Sequence, residues 1–410
     1  MALLEISKNW LTNRLEKTTD ALTLATERDL TSHVFRCRRG KVVELADGSE
    51  AVEFVSCSYL GLEVHPQLLH SAKEAIDRAG VHFASARTRM RLDDLEELES
   101  ILDRIYGLRS VTAFTSVGNV HLGVLPLLAA NALPSYPVAE AGPVFLVDRT
   151  AHASIQVLRG IFEQIGPVSR FDAHDTAGLG ALLDEAVAAG RTPIVLVDGI
   201  GSMGGLIDVV ELNALTAAAG GYLYVDDAHG ISIAGPQGGG YAHEAFGAAL
   251  PDSVILVGSL SKAFGGAGGF GVLRDRADTQ VLRKFGNPLI FGGPIALPMV
   301  SANLASARLH IDGAVVPLQD RLWQNTELFD QHTYGRLVNA GERSPVRGAA
   351  FAAEADALAA AERLRKAGIL VTPAFYPTVA RGTGLVRFAV SALHTDEQIT
   401  RAAAALGDLA

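Results

Sequence analysis

From about Tyr59 to Leu273 the chain alternates short, unbroken apolar runs with longer helix-forming stretches, and this leaves few folds open. The runs at 111–116, 144–148, 194–198, 223–226, 254–258 and 269–273 are rich in Val, Ile and Leu. They do not alternate apolar with polar residues, so each reads as a strand covered on both faces. Between them, 93–106, 178–189 and 208–219 carry helical patterns. The expectation is an α/β fold: a mostly parallel central sheet flanked by helices on both sides.

The flanking regions differ in texture. The first residues, MALLEISKNWLTNRLEKTTD, are charged and amphipathic and lack the apolar core of a signal peptide. A short helix and then two short strands about an Asp-Gly turn are expected in the segment ending "HVFRCRRGKVVELADGSEAVEFVS". Beyond Pro298 a long Ala/Leu helical stretch, 299–337, precedes shorter elements, and the chain closes on a strand, a Thr-Asp-Glu helix start and a last helix. The division expected is an N-terminal segment 1–55, a large domain 56–298 and a smaller α/β domain 299–410.

Composition removes several functions. Among 410 residues, 35 Lys and Arg face 45 Asp and Glu, a net charge of −10, which disfavours nucleic-acid and anionic-membrane surfaces. No run approaches the ~18 apolar residues of a membrane helix. Cys37 and Cys57 are too few for a disulfide framework or a structural zinc site, and no metal is expected. The balance is that of a cytoplasmic α/β enzyme acting on small molecules.

In open α/β sheets, ligands sit beyond the carboxyl ends of the strands. Those ends carry an ordered polar series: Asp148 with His152, Asp198 with Ser202, Asp226 with His229, then Ser259 and Lys262. Taken alone, Lys262 in "VGSLSKAFGGAGGFG" reads as an exposed loop lysine. It nevertheless follows a buried strand among small residues, and burial lowers an ammonium's pKa, as in Schiff-base lysines. Neither this segment nor "GPQGGG" at 235–240 has the spacing of a nucleotide P-loop or a dinucleotide fingerprint. Asp226, ending "LYVD", can hold a protonated pyridine nitrogen through a charge-assisted bond worth about 1.5–3 kcal/mol. Asp226 or His229 alone is also explained as a turn-capping group, but the two together with Lys262 point to one site.

The constellation resembles the α-oxoamine synthase family of fold-type-I pyridoxal-phosphate enzymes, across nearly the whole chain from "SYLGLEVHP" to "ALHTDEQI". "DRTAHASI" is similar to the segment whose histidine, here His152, stacks on the cofactor ring. "VDGIGSMGG" matches the segment whose serine, Ser202, contacts the cofactor. "VDDAHGISIAGPQGGG" supplies Asp226 and His229, and "GSLSKAFGGAGG" supplies phosphate-binding Ser259 and covalently bound Lys262. "TSVGNVHLG" takes the place of the first phosphate turn, so the resemblance implies phosphate-binding amides at Val117 and Gly118, with Asn119 beside the cofactor. "GLVRFAVSALHT" carries Arg387, which by the same resemblance clamps an amino-acid carboxylate with its planar fork.

The resemblance implies a homodimer, pyridoxal 5'-phosphate as cofactor, and a decarboxylating condensation of an α-amino acid with an acyl-thioester. Departures point within the family. "VHFASARTRM" replaces the usual "GSGGSR" stretch and resembles the "MSAS" segment of the cholera-type autoinducer synthase. "FGGPIALP" lacks the Ser-Thr pair that reaches the neighbouring subunit's phosphate. These changes favour a signal molecule or secondary metabolite over biotin, haem or threonine metabolism. An aminotransferase or aldol-type lyase on the same fold, and a cofactor-binding scaffold without turnover, are the competing readings.

Overall fold

The computed structural model describes residues 20–333, 335–376 and 378–407. The amphipathic segment 1–19 lies outside the described residues. The described residues form two compact units, one of 20–59, 203–205 and 320–407, the other of 60–202 and 206–319.

The larger unit is built on seven strands: β1 (Ser110–Phe114), β2 (Pro143–Asp148), β3 (Val168–Phe171), β4 (Thr192–Asp198), β5 (Tyr222–Asp226), β6 (Val254–Ser259) and β7 (Gly269–Leu273). Their order across the sheet is β1-β7-β6-β5-β4-β2-β3. All neighbours are parallel except β7, which runs antiparallel to both β1 and β6. The cause is chain length: a parallel crossover needs about a dozen or more residues, and only the loop 260–268 joins β6 to β7. That loop carries Lys262, so the topology holds the lysine at the edge where β1 to β6 end.

Side-chain alternation along the strands feeds two cores. Val144, Leu146, Val195 and Val197 enter one apolar cluster, while Phe145, Val147, Ile194 and Leu196 enter the other. Burial on both faces explains why these strands read as continuous apolar runs. Edge strand β3 is half exposed, carries Ser169 and Arg170, and was not expected.

The helices at 93–105, 176–188 and 209–218 stand within two residues of expectation. Asp175 and Asp208 cap the last two by accepting from Gly178 and Glu211 N–H, each at 2.9 Å. Helix α1 (Val117–Ala129), following β1, was not expected because Gly118, Gly123 and Pro126 lie inside it. The single long helix expected over 299–337 is two, Leu297–Ile311 and Val316–Thr333, broken where Gly313 adopts a φ of 72°.

In the smaller unit, residues 20–27 are helical, and three strands follow rather than two: Phe35–Arg39, Val42–Leu45 and Glu50–Glu53. The Asp47–Gly48 turn joins the last two, as expected, with Leu45 N–H donating to Ser49 O at 2.8 Å. Ile369–Leu370 adds parallel to Glu50–Glu53. This pairing ties the N-terminal segment to the C-terminal part, so the first cut falls after Tyr59 and the second after Gln319, not at 55 and 298 with a separate arm. A second sheet places Gly384–Ala389 between Val346–Phe351 and Thr372–Ala374, all antiparallel.

Candidate active site

In the larger unit the strand ends behave differently from one another. Asp148, closing β2, is absorbed locally: its carboxylate accepts from Thr150 N–H and Ala173 N–H, each at 3.0 Å. Asp198 and Asp226, closing β4 and β5, are register partners and both buried. Two carboxylates side by side in a dry environment do not both ionise readily. Burial and the Asp226 charge push Asp198 well above the ordinary carboxyl range. Burial also acts upward on Asp226, but the His121 hydrogen bond and charge, the Lys262 charge and the Ala228 N–H offset it, and the group is held below its ordinary value. The pair therefore divides its roles, Asp198 keeping a proton and Asp226 remaining an anion.

His121, on α1, is the residue that sequence reading missed. It is wholly buried; its Nε2 lies 3.2 Å from Asp226 Oδ2 and its Nδ1 2.9 Å from Tyr224 Oη. Burial and the Asp226 charge raise the Tyr224 phenol well above its usual range, so it stays neutral. As an anion Asp226 can only accept, so His121 Nε2–H donates to it. The only sequence signal was a lone histidine inside an otherwise apolar helix.

Asp198 Oδ1 accepts from His152 N–H at 3.1 Å, fixing the turn after β2. The exposed His152 imidazole heads the short helix 153–156, with Nδ1 2.8 Å from Ser154 Oγ. His229 is buried in the turn after β5, and Ser202 is half-buried in the loop after β4. Neighbouring Asp227 is buried among Gly199, Gly230 and Gly240, where an added Cβ would come within 2.5, 2.1 and 2.6 Å of its carboxyl. Burial pushes it well up, and its Oδ2 accepts from Ala242 N–H at 3.0 Å, so it serves as a neutral anchor.

The turn entering α1 is capped by Ser116, whose Oγ accepts from Asn119 N–H at 3.2 Å. Asn119 Nδ2 donates to Thr115 Oγ1 at 2.6 Å, so its amide folds back on the loop. Val117 and Gly118 supply the first-turn amides, where a helix N-terminus favours an anion. Gly269, starting β7, packs so closely here that an added Cβ would lie 2.8 Å from Val117 N.

The Lys262 loop is clamped at several points. Ser261 Oγ donates to Gly268 O at 3.0 Å and accepts from Gly268 N–H at 2.8 Å. Asn303 grips Ala267 through both its N–H and its carbonyl, at 3.1 and 2.9 Å, and Ser306 Oγ donates to Phe264 O at 2.6 Å. Ser259, buried at the end of β6, accepts from Ser261 N–H at 3.1 Å. Gly265, at φ 82°, abuts Leu62, so the loop has no room for a side chain there.

Arg387 belongs to the smaller unit, in the middle strand of its three-stranded sheet. It is buried, and Nη2 donates to Cys57 Sγ at 3.1 Å and points at Tyr59 Oη at 3.5 Å. Its Nε has no hydrogen-bond acceptor among the described residues. The guanidinium thus keeps donor capacity for an anion.

The aminotransferase class I and II model matches residues 52–406. The 2-amino-3-ketobutyrate coenzyme A ligase of Salmonella typhimurium is 31% identical over 88% of this chain and 87% of its own length. The 8-amino-7-oxononanoate synthase of Alkaliphilus metalliredigens is 31% identical over 87% of each. Among solved structures, Sphingomonas wittichii serine palmitoyltransferase superposes with a TM-score of 0.84 at 24% identity, covering 96% of this chain and 95% of that one. A serine palmitoyltransferase variant from S. paucimobilis with a bound pyridoxal-phosphate–myriocin aldimine gives 0.84 at 22%, covering 96% and 98%. The fold is therefore that of the fold-type-I pyridoxal-phosphate transferases, as expected. The chain belongs to the aminotransferase class I and II family and, within it, to the α-oxoamine synthases. Pyridoxal 5'-phosphate is the cofactor of such an enzyme, and the residues fit it: a buried anion at Asp226, a helix N-terminus at Val117 and Gly118, and a lysine on a clamped loop between them.

Proposed function

We propose that this enzyme condenses an α-amino acid with an acyl-thioester, releasing carbon dioxide and coenzyme A and giving an α-aminoketone. The observation that carries the reading is the buried Asp226 anion, held by His121 at the strand end beside the Lys262 loop. The relatives' names, a coenzyme A ligase and an oxononanoate synthase, support the same class of condensation.

When bound, the cofactor supplies an electron sink for the electron pair left at the substrate's α-carbon. Lys262 would hold it covalently through Nζ and, once displaced by the amino acid, take the α-proton. Asp226 would keep the ring nitrogen protonated, and His229 would meet the ring phenol oxygen. His152 would stack on the ring. Val117 and Gly118 N–H with Ser259 would hold the phosphate, Asn119 and Ser202 lying beside the cofactor. Arg387 would clamp the carboxylate, and orientation of the breaking bond would select the reaction. The replaced segments "VHFASARTRM" and "FGGPIALP" support a product outside primary metabolism, a signal molecule or secondary metabolite. A cytoplasmic homodimer is the assembly this reading carries, supported by the family resemblance.

Coenzyme A release, measured across a panel of amino acids and acyl-thioesters, tests the proposal. Release in step with product, with no keto acid required, is expected. Amino-group transfer that needs a keto acid and consumes no thioester would replace it with the aminotransferase reading.

A further inference from the structure

Lys41, in the smaller unit, is 1% exposed, and the proposed chemistry makes no use of it. It stands in the turn between the strands Phe35–Arg39 and Val42–Leu45. A buried ammonium is costly unless its protons meet acceptors, and it has three to place. Nζ donates to Glu53 Oε1 at 2.8 Å, to Ser56 Oγ at 2.9 Å and to Ser58 Oγ at 2.8 Å. Glu53 is committed to the same stretch of chain. Its Oε2 accepts from Val55 and Ser56 N–H at 2.9 and 2.8 Å, and its Oε1 from Ser56 O–H at 2.6 Å. Burial acts upward on Glu53, but the charge and hydrogen bond of Lys41, with those from Ser56, hold it below its ordinary value. An ammonium and a carboxylate thus knot the single segment 53–58.

The same stretch of chain meets Arg387. Arg387 Nη2 donates to Cys57 Sγ at 3.1 Å and points at Tyr59 Oη at 3.5 Å. The contacts alternate along the chain: Ser56 and Ser58 reach the ammonium, Cys57 and Tyr59 the guanidinium. Backbone bonds lay the segment along the end of the Arg387 strand and the turn after it. Ala389 N–H donates to Phe54 O at 2.8 Å, Ala392 N–H to Tyr59 O at 2.7 Å and Ser391 O–H to Ser58 O at 2.9 Å. A buried ion pair adds little net stability over an apolar pair of the same size. What this one adds is geometry, since each of its bonds ends on the segment that faces the arginine.

We infer that Lys41 is a positioning residue for the amino-acid site, its ammonium gathering Glu53, Ser56 and Ser58 so that Cys57 and Tyr59 hold the Arg387 fork in place. The inference rests on the proposed role of Arg387 as carboxylate clamp and adds the group that aligns it. Two parallel N–H···O bonds require the guanidinium plane to meet the carboxylate squarely, so the contact is sensitive to small displacements. Lys41 touches no substrate and acts through the segment. Its loss should weaken the amino acid and spare the acyl-thioester. The cofactor should be spared too, since the residues assigned to it lie in the larger unit.

The test titrates the holoenzyme with each proteinogenic amino acid, reading the change in cofactor absorbance, and keeps the tightest binder as probe. Binding is read without thioester, so the result does not depend on whether condensation follows. Lys41→Met combined with Glu53→Gln removes both charges and leaves no buried carboxylate unpaired. It should weaken the probe about tenfold or more. Ser58→Ala, which keeps the ion pair and covers the case where the first variant does not fold, should weaken it about threefold. Affinity for pyridoxal phosphate, and KM for the most active straight-chain acyl-coenzyme A thioester, should stay within about twofold. In an Arg387→Ala background the same changes should cost less than about twofold, because their effect passes through the guanidinium. Parent-like affinity for the probe in the paired variant, or in Ser58→Ala should that variant not fold, would overturn the inference. So would equal losses on amino acid, thioester and cofactor, or an undiminished loss without Arg387, either of which would leave Lys41 a purely structural part. Parent-like binding of the probe by Arg387→Ala alone would overturn the carboxylate clamp as well.

Discussion

His121 Nε2 stands 3.2 Å from Asp226 Oδ2, with both side chains withdrawn from solvent. One histidine on α1 therefore helps to hold a carboxylate at the end of β5 ionised, beside the Lys262 charge and the Ala228 N–H. Without its hydrogen bond and charge, burial and the neighbouring Asp198 would act on Asp226 with less opposition, and its proton affinity would rise. A protonated Asp226 no longer offers an anion to a pyridinium.

His121→Leu is accordingly expected to weaken cofactor binding. A hydrogen bond to a charged group contributes about 1.5–3 kcal/mol, which corresponds to roughly ten- to more than a hundredfold in affinity. Titration of the apoprotein with pyridoxal phosphate reads this directly. His121→Gln, which keeps a donor, should recover part of the loss. Equal affinity in all three proteins would show that Asp226 is held by something else.

Much of this site is legible in the sequence because strand ends are legible. Asp226, Ser259 and Lys262 terminate or follow runs of Val, Ile and Leu, so finding the runs finds the residues. His121 has no such marker. It looks like a core histidine in an apolar helix, and its partner lies 105 residues further along the chain. The edge strand β3 escaped for a related reason: one face meets solvent, so Ser169 and Arg170 interrupt the apolar pattern. The smaller unit was hardest to divide, since Glu50–Glu53 joins Ile369–Leu370 by a pairing that no local pattern announces.

Lys262 is expected to be the sole attachment point of the cofactor. The purified protein should be yellow, and borohydride reduction followed by peptide mass spectrometry should place the label on Lys262. Lys262→Ala should lose the label and at least about a hundredfold in turnover, the lower range for removing a general base. A reducible bond at another lysine in the variant would defeat the assignment.

Arg387 should govern the amino acid more than the thioester. Removing one partner of a desolvated charge pair costs about 2–5 kcal/mol. Arg387→Ala should therefore raise the amino-acid KM by well over tenfold and change the thioester KM little. Arg387→Lys should rescue poorly, because an ammonium lacks the planar fork. Cys57, whose Sγ accepts from Arg387 Nη2 at 3.1 Å, should show a smaller effect of the same kind when changed to alanine. Parallel loss on both substrates would point to a folding defect instead.

The stability of the smaller unit should fall as pH drops from neutrality, and His394 gives the reason. Its ring is buried and stacks on Phe54 with centroids 4.0 Å apart. Nδ1 accepts from Ser391 N–H at 3.0 Å, and Nε2–H donates to Glu53 O at 3.0 Å. Both nitrogens are committed in the neutral form, so an added proton would sit on Nδ1 against a donor. Burial, followed by the charge of Lys41, lowers its pKa to about 3. The unfolded histidine titrates near the ordinary value of about 6.5. Between those values the unfolded chain binds more protons than the folded one, so stability rises with pH across the window. The contribution of the neutral ring is complete above about pH 6.5 and is lost progressively as pH falls toward 3. The slope from this one group approaches about 1.4 kcal/mol per pH unit. Urea unfolding followed at about pH 7.5, 6.5 and 5.5 measures it. His394→Phe removes the titration while keeping an aromatic ring against Phe54. That variant should be less stable near neutrality, through the lost hydrogen bonds, yet the gap to the parent should narrow as pH falls. Parallel stability curves for the two proteins would show that His394 does not set the acid sensitivity.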